Sequence, residues 1–331
     1  TVAGGDDSAF CSGICLAAGS VPASEVESTE KRAWESVWTR WYLEHSDAGV
    51  HSAAGWALRQ WSLPVPSVSL SKTPRGDRSW CHTPSGLVLV KIPAGKSPGD
   101  GKDMSSFLLS DREISVELYR RFWEDDDYPG PKPKNWGLDE NISPTDQHPS
   151  QKVDWEDAVL FCNWLSYKLQ LTPCYEFEAS SDSPGSWNVI WTREANGIRL
   201  PTSDEWEFAC RAGSTTQFSF GDEENDLLRY GWFAGNSNSR THLVRKKCCN
   251  AWGLFDMHGN AWEWCWDVYA GQGWHRVVRG GGWNGAARDC ESSIGYGFGP
   301  SGRSHDLGFR VASRPDLFQL KNDGRVPVSY T

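Results

Sequence analysis

The sequence predicts an α+β chain with unusually little regular secondary structure, preceded by a small all-helical segment. Three observations lead there. Apolar residues recur at helical spacing through much of the first 66 positions. Between residues 87 and 210, short apolar runs of strand length mix with capped helices. From residue 212 onward helical periodicity almost vanishes, leaving turns, aromatics and short strand-like runs. At the centre of that last region is the stretch 250–264, Asn-Ala-Trp-Gly-Leu-Phe-Asp-Met-His-Gly-Asn-Ala-Trp-Glu-Trp, which follows neither period. Its glycines imply tight turns, and its tryptophans imply large buried area around an irregular backbone.

Taken in order, residues 1–20 are small and apolar around Cys11 and Cys15 and read as the end of a helix begun upstream. Ser28 can cap a helix striped by Trp34, Val37, Trp38 and Trp41. Asp47 can cap another, with Ala54, Ala57, Leu58 and Trp61 inward and Pro64 and Pro66 as the stop. Such helices bury too little surface alone, so residues 1–66 are expected to end a helical repeat or to dock as a bundle on the larger domain C-terminal to them. Residues 67–80, within a Ser-, Pro- and charge-rich stretch, read as a linker. The main domain is expected at 81–315 and a C-terminal tail at 316–331.

Within that domain, a strand at 87–92 ends in a turn at 93–95, and a second strand at 106–109 leads to a helix near 116–124. The acidic, proline-broken loop after it reads as solvated surface. Asp154 opens a helix with Ala158, Phe161, Cys162, Leu165 and Leu169 inward, and residues 170–198 read as a long loop. Thr202 with Glu205 forms a capping box for a helix that buries Trp206, Ala209 and Cys210. Beyond it, the runs 276–279 and 309–312 look like strands.

Composition excludes some functions. A net charge of −10 argues against a nucleic-acid partner, which needs a basic face. No run approaches the apolar length of a membrane span, and no signal peptide opens the chain. The first residue is Thr1 rather than Met, which reads as a processed product or a piece of something longer. The ten cysteines show no framework spacing and sit mostly among apolar neighbours, as small hydrophobes in a reducing, cytoplasmic compartment would. Vicinal Cys248 and Cys249 lack a second pair for zinc. His258 reads as structural rather than as a base. Asp256 and Glu263, with main-chain carbonyls between them, are hard oxygen donors of the kind calcium takes; they would serve equally to staple a buried loop by hydrogen bonds.

Residues 199–211 and 250–264, with the runs Val278-Arg-Gly-Gly-Gly-Trp-Asn and Leu307-Gly-Phe-Arg-Val, together resemble the formylglycine-generating-enzyme (sulfatase-modifying-factor) family. The blocks follow the family's order over roughly residues 81–315. The resemblance implies a C-type-lectin-like α+β fold. It also implies structural calcium on the side chains of Asp256 and Glu263 and the carbonyls of Gly259 and Ala261. A second family calcium site would use Asn236 and the Ser237 carbonyl with an acidic element downstream. Here residues 240–247 are basic and hold no Asp, so that second site is expected to be lost. The helices before residue 66 resemble, more loosely, the segment preceding such domains in large bacterial multidomain proteins.

The same resemblance implies where the chain departs from catalysis. Active members hold copper(I) between two cysteines five residues apart. Here the first of those positions is Gly285 and only Cys290 remains, while the serine and histidine expected nearby are Gly282 and Ala286. One thiolate cannot make a two-coordinate copper site, so copper is not expected. Two further family cysteines survive as Cys162 and Cys210, but their disulfide partners fall at Val311 and Gly295.

In this fold the segment after residue 282 lies on an exposed face, the part diversified in variable proteins made by diversity-generating retroelements. Trp283, Asn284, Arg288, Tyr296, Phe298, Arg303 and His305 fall there, the composition of a recognition surface. The plainer reading makes them ordinary loop residues with Tyr296 and Phe298 buried. The sequence thus points to a non-catalytic, calcium-stabilised recognition or regulatory domain that binds a protein partner in a larger assembly. The alternative is a divergent metal-dependent oxidase, of formylglycine-generating or sulfoxide-synthase type, using Cys290.

Overall fold

The structure, a computed structural model, describes residues 7–133, 135–179, 187–271 and 273–315. The tail expected at 316–331 lies outside them. Helix α1 (Ser8–Gly19) starts at its own cap, the Asp7 carboxylate accepting from the Phe10 amide, and is not the end of an earlier helix. Helices α2 (Ser28–Glu44) and α3 (Ala48–Gln60) come next, the latter capped by Asp47 as expected. Trp38, Trp56 and Trp61 form the centre of their shared core, which extends to Phe255, Cys248 and Cys249 of the main domain. Every residue of α3 from Ala48 to Leu58 is buried, far more than one amphipathic stripe. The docking is backbone-close: a methyl on Gly49 would overlap the Ala251 carbonyl oxygen. The segment is a bundle seated on the stretch 246–255, with its covering domain supplying the surface that three helices lack.

Strands β1 (Trp80–His82), β2 (Val88–Ile92), β3 (Gly95–Lys96), β4 (Asp103–Met104) and β5 (Phe107–Ser110) open the main domain. Then come α4 (Val116–Trp123), capped by Ser115, and α5 (Trp155–Lys168), capped by Asp154. Residues 170–198 are not a loop throughout. They contain β6 (Tyr175–Ala179) and β7 (Trp187–Trp191), paired antiparallel. After β8 (Ile198–Arg199), helix α6 (Ser203–Arg211) carries both halves of the expected Thr202–Glu205 capping box. A short α7 (Leu227–Tyr230), β9 (Trp262–Val268), β10 (Arg276–Arg279) and β11 (Gly295–Phe298) complete most of the second half. The strand expected at 309–312 is instead two fragments, β12 (Leu307–Gly308) and β13 (Ala312–Ser313). They join different sheets because the chain turns at Arg310 to bury its guanidinium.

Two sheets result, ordered β1-β2-β5-β13-β8 and β11-β10-β9-β12, with small separate pairs β3-β4 and β6-β7. Phe122, Phe161, Trp164, Trp264 and Phe309 fill one core beneath α4 and α5. Trp80, Phe107, Trp206, Met257 and Cys265 fill a second beneath α6. The aperiodic stretch 250–264 contributes to both and to the helical bundle's core. It is the hub at which the three meet.

Candidate functional site

Four left-handed backbone positions shape this hub: Gly253 at φ 82°, Asp256 at 56°, Gly259 at 121° and Asn260 at 70°. Gly259 is required twice over, since a side chain there would also run into the Trp232 carbonyl. The turn buries Asp256 and aims it at the interior. Its Oδ2 accepts from the Arg245 amide at 2.8 Å, while Oδ1 is buried without a partner. Glu263, wholly buried at the start of β9, receives Arg310 through both oxygens, at 2.5 and 2.7 Å, and Trp206 Nε1 at 2.6 Å.

A third carboxylate, Glu113, stands beside them and was not expected from the sequence. Its oxygens accept from the Ala261 amide and the Asn260 side-chain amide, both at 3.0 Å. Burial, then Asp256, then Glu263 push its carboxyl well above the usual range. Burial likewise pushes Asp256 up to about 6. Three buried carboxyl groups thus gather around one guanidinium, Arg310, and burial favours the neutral forms of Glu113 and Asp256. Among the described residues no three His, Cys, Asp or Glu groups are arranged to hold a metal ion unaided, so main-chain carbonyls would have to complete any shell.

Asn236 is used differently. Its Oδ1 accepts from the Phe233 amide at 2.9 Å and its Nδ2 donates to the Gly231 carbonyl at 3.0 Å, closing a turn. The Ser237 carbonyl lies 2.7 Å from His242 Nε2. That imidazole stacks on Trp232 with ring centroids 3.6 Å apart, and the Lys247 ammonium sits 3.8 Å from the same ring.

The thiol of Cys290 is sealed. Gly285 closes a turn onto the Gly282 carbonyl, and Asp289 caps the short helical turn Ala287–Cys290 through the Ala286 amide. Cys290 ends that turn with no exposed surface, and burial, then Asp289 and Cys210, drive its thiol far up. Cys210 is pushed up to about 12, mainly by burial; its sulfur lies 3.6 Å from Ser292 Oγ and 3.8 Å from His258 Nε2. His258 is fixed by two contacts of opposite sense. The Ser219 amide donates to Nε2 at 3.2 Å, so Nδ1 carries the hydrogen and donates to the Cys290 carbonyl at 2.8 Å. Burial lowers its pKa to about 4, so it is a neutral staple at physiological pH. The ten cysteines are all buried, and Cys162 and Cys210 are free thiols.

The residues expected on the recognition face divide into two groups. Arg288 is 81% exposed at its side chain, Asn284 is exposed, and Tyr296 is 45% exposed while its hydroxyl donates to Asp289 at 3.0 Å. Trp283 is held edge-out by its Nε1 bond to the His305 carbonyl at 3.1 Å, and His305 pairs with Asp139 at 3.1 Å. Phe298 and Arg303 are committed inward. Phe298 packs on Trp264 with ring centroids 5.8 Å apart. Arg303 binds Asp154 at 2.7 Å and Asp157 at 2.5 Å, tying the loop to the first turn of α5. Trp274, 64% exposed and packed beside Gly299, joins the same side of the molecule and gave no periodic signal in the sequence.

The hub, the glycine-lined turn and the split β12–β13 strand all lie within a stretch that matches a known family. Residues 70–315 match the model of the sulfatase-modifying factor enzyme 1-like domain. The chain belongs to that family. Among relatives of this sulfatase-modifying-factor-like chain, the chaperone protein LppX of Paenibacillus barcinonensis is 30% identical over 261 residues, covering 68% of this chain and 88% of that protein. The inactive C-alpha-formylglycine-generating enzyme 2 of Mus musculus is 26% identical, over 77% of this chain and 92% of its own length. Among solved structures, Treponema denticola variable protein 1 superposes with a TM-score of 0.57 at 30% identity, covering 69% of this chain and 95% of the other. Among the described residues no helix is long and apolar enough to cross a membrane.

Proposed function

We propose that this sulfatase-modifying-factor-like chain is a non-catalytic, calcium-stabilised recognition or regulatory domain whose 283–305 face binds a protein partner in a larger assembly. The observation behind it is the pairing of Gly285 with a sealed Cys290. A thiol with no exposed surface and a strongly raised pKa presents no thiolate to a soft metal or a substrate disulfide. Glycine at 285 removes the other half of such a site. The mouse relative described as inactive, the Treponema variable protein and the relative described as a chaperone are in keeping with a scaffold used for contact rather than oxidation.

Support for calcium at the hub comes from the orphaned Asp256 Oδ1 and the buried cluster of Asp256, Glu263 and Glu113. Asp256 and Glu263 would hold it with the carbonyls of Gly259 and Ala261; its contribution there is charge neutralisation and rigidity of the turn. The Arg310 pair already engages both Glu263 oxygens, so Asp256 would be the principal side-chain donor. Both polar atoms of the Asn236 amide are engaged in its own turn, and it is left out of the calcium reading. The free thiols of Cys162 and Cys210 suit a reducing, cytoplasmic setting.

A second reading rests on one observation. Folding brings Cys210 close enough to Cys290 to affect its titration, with His258 beside both, and a divergent oxidase would use these two sulfurs as its site. The two readings part in a capture experiment. Wild type, a Trp283→Ala/Arg288→Glu/Tyr296→Ala variant and Cys290→Ser are used as bait in extract of the source cell. Recognition predicts a protein band kept by Cys290→Ser and lost by the triple variant; a band equally retained by all three contradicts it.

A further inference from the structure

Between α3 and the main domain lies a partly open cavity of about 10 Å³, room for one water-sized body, lined among others by Tyr42, His51, Ser52, Arg59, Asp111 and Arg245. Charge around it does not balance. Asp111 is 2% exposed and both its oxygens are taken, Oδ1 by Arg112 at 3.0 Å and Oδ2 by Arg245 at 2.5 Å. Arg59 brings a third guanidinium to this one carboxylate. Among the described residues it has no ion-pair partner, and its Nε is buried without a hydrogen-bond acceptor. The Phe255 ring lies 5.7 Å from its guanidinium carbon. The Ser52 hydroxyl, on a residue 4% exposed, is buried and unpartnered in the same lining. The cations also feel one another. Burial and then Arg245 lower both Arg59 and Arg112 to about 10.

A buried cation without counter-charge and a buried hydroxyl without an acceptor each cost free energy. One small anion relieves both. The space is small, partly open and lined by N–H and O–H donors, which suits a small anion. A monatomic halide accepts from N–H and O–H donors alike. We propose that this cavity is a halide site in which the Arg59 guanidinium and the Ser52 hydroxyl hold a chloride ion and lock α3 to the main domain. Arg59 keeps part of its residue surface in solvent, which leaves the ion a way in. The site uses neither Cys290 nor the 283–305 face, and it stands or falls separately from the recognition reading.

The test uses the full chain in sodium chloride, sodium bromide or sodium gluconate at equal ionic strength. Chloride and bromide are expected to raise Tm saturably, by about 4 °C at roughly a hundred times Kd for a chain of this size, and gluconate is not. Arg59→Gln is expected to abolish the halide increment, and Ser52→Ala to weaken halide affinity about tenfold. A crystal grown in bromide is expected to show an anomalous peak between these two side chains. Equal Tm in chloride and gluconate overturns the site, as does a halide increment that survives Arg59→Gln. A bromide crystal without the peak does the same and leaves the cavity to water. Should Arg59→Gln fail to fold, the wild-type salt comparison and the bromide map decide.

Discussion

Acid is expected to loosen the docked helical bundle, and His82 sets the size of the effect. His51 is sandwiched between Tyr42 and Trp80, with ring centroids 4.3 and 3.6 Å away. Its Nδ1 lies 2.7 Å from the Tyr42 carbonyl and so carries the hydrogen, leaving Nε2 bare. That bare nitrogen faces His82 Nε2 at 3.2 Å, a gap with room for one proton. A second proton on His51 would set two N–H groups against each other. Burial, then His82, hold His51 well below the usual histidine range. Burial, then Arg245, lower His82 from 6.5 to about 4.

A histidine lowered in this way binds fewer protons folded than unfolded across the window from 6.5 down to about 4. Its contribution is intact above that window and is lost as pH falls through it. For His82 the whole window amounts to about 3.4 kcal/mol, of which about 2.5 kcal/mol is gone by about pH 4.5. Urea denaturation of wild type and His82→Gln at about pH 7 and about pH 4.5 isolates the effect of the His51–His82 pair, because titrations remote from the pair cancel. Glutamine keeps a donor toward His51. Wild type is expected to lose about 2.5 kcal/mol more than the variant on acidification. Equal losses would refute the reasoning.

Glu263→Gln leaves Arg310 buried without its counter-charge and is expected to cost about 3–5 kcal/mol, read as a lower urea midpoint at unchanged slope. A midpoint within error of wild type would mean the pair is not what holds the sheets around the hub. Calcium over chelator is expected to raise Tm in wild type and to do nothing in Asp256→Asn; an equal rise in both removes Asp256 from the proposed site. Gly49→Ala gains helix propensity yet is expected to lose about 1–3 kcal/mol net, because its methyl meets the Ala251 carbonyl oxygen. A neutral or stabilising result would show that the bundle can shift away from the hub at little cost.

What could be read from the sequence was local. The Asp47, Asp154 and Thr202 caps sit within one turn of the amides they satisfy, so spacing alone reveals them. The family blocks were legible too, since each is a short unusual string. The β6–β7 hairpin was not: seven residues separate the strands, without a tight two-residue turn signal. Residues 309–312 alternate like a strand, but Arg310 is drawn to Glu263 across 47 positions and breaks the run in two. Glu113 reaches Ala261 across 148 positions and left no mark beyond an acid, with Asp111, between a strand and a helix. The stripes of α2 and α3 announced that a partner surface existed, but not that it was the stretch 246–255. Phe298 and Arg303 had the composition of a contact surface, yet tertiary packing uses them to tie down that surface's own base.

The most direct test offers the purified full chain copper(I), oxygen and a cysteine-containing peptide, then tracks the peptide by mass spectrometry and the copper by binding. A recognition domain with a sealed Cys290 leaves the peptide cysteine unchanged and retains no copper that Cys290→Ser would lose. Conversion of the peptide cysteine to an aldehyde, abolished by Cys290→Ser, would contradict the account at its centre.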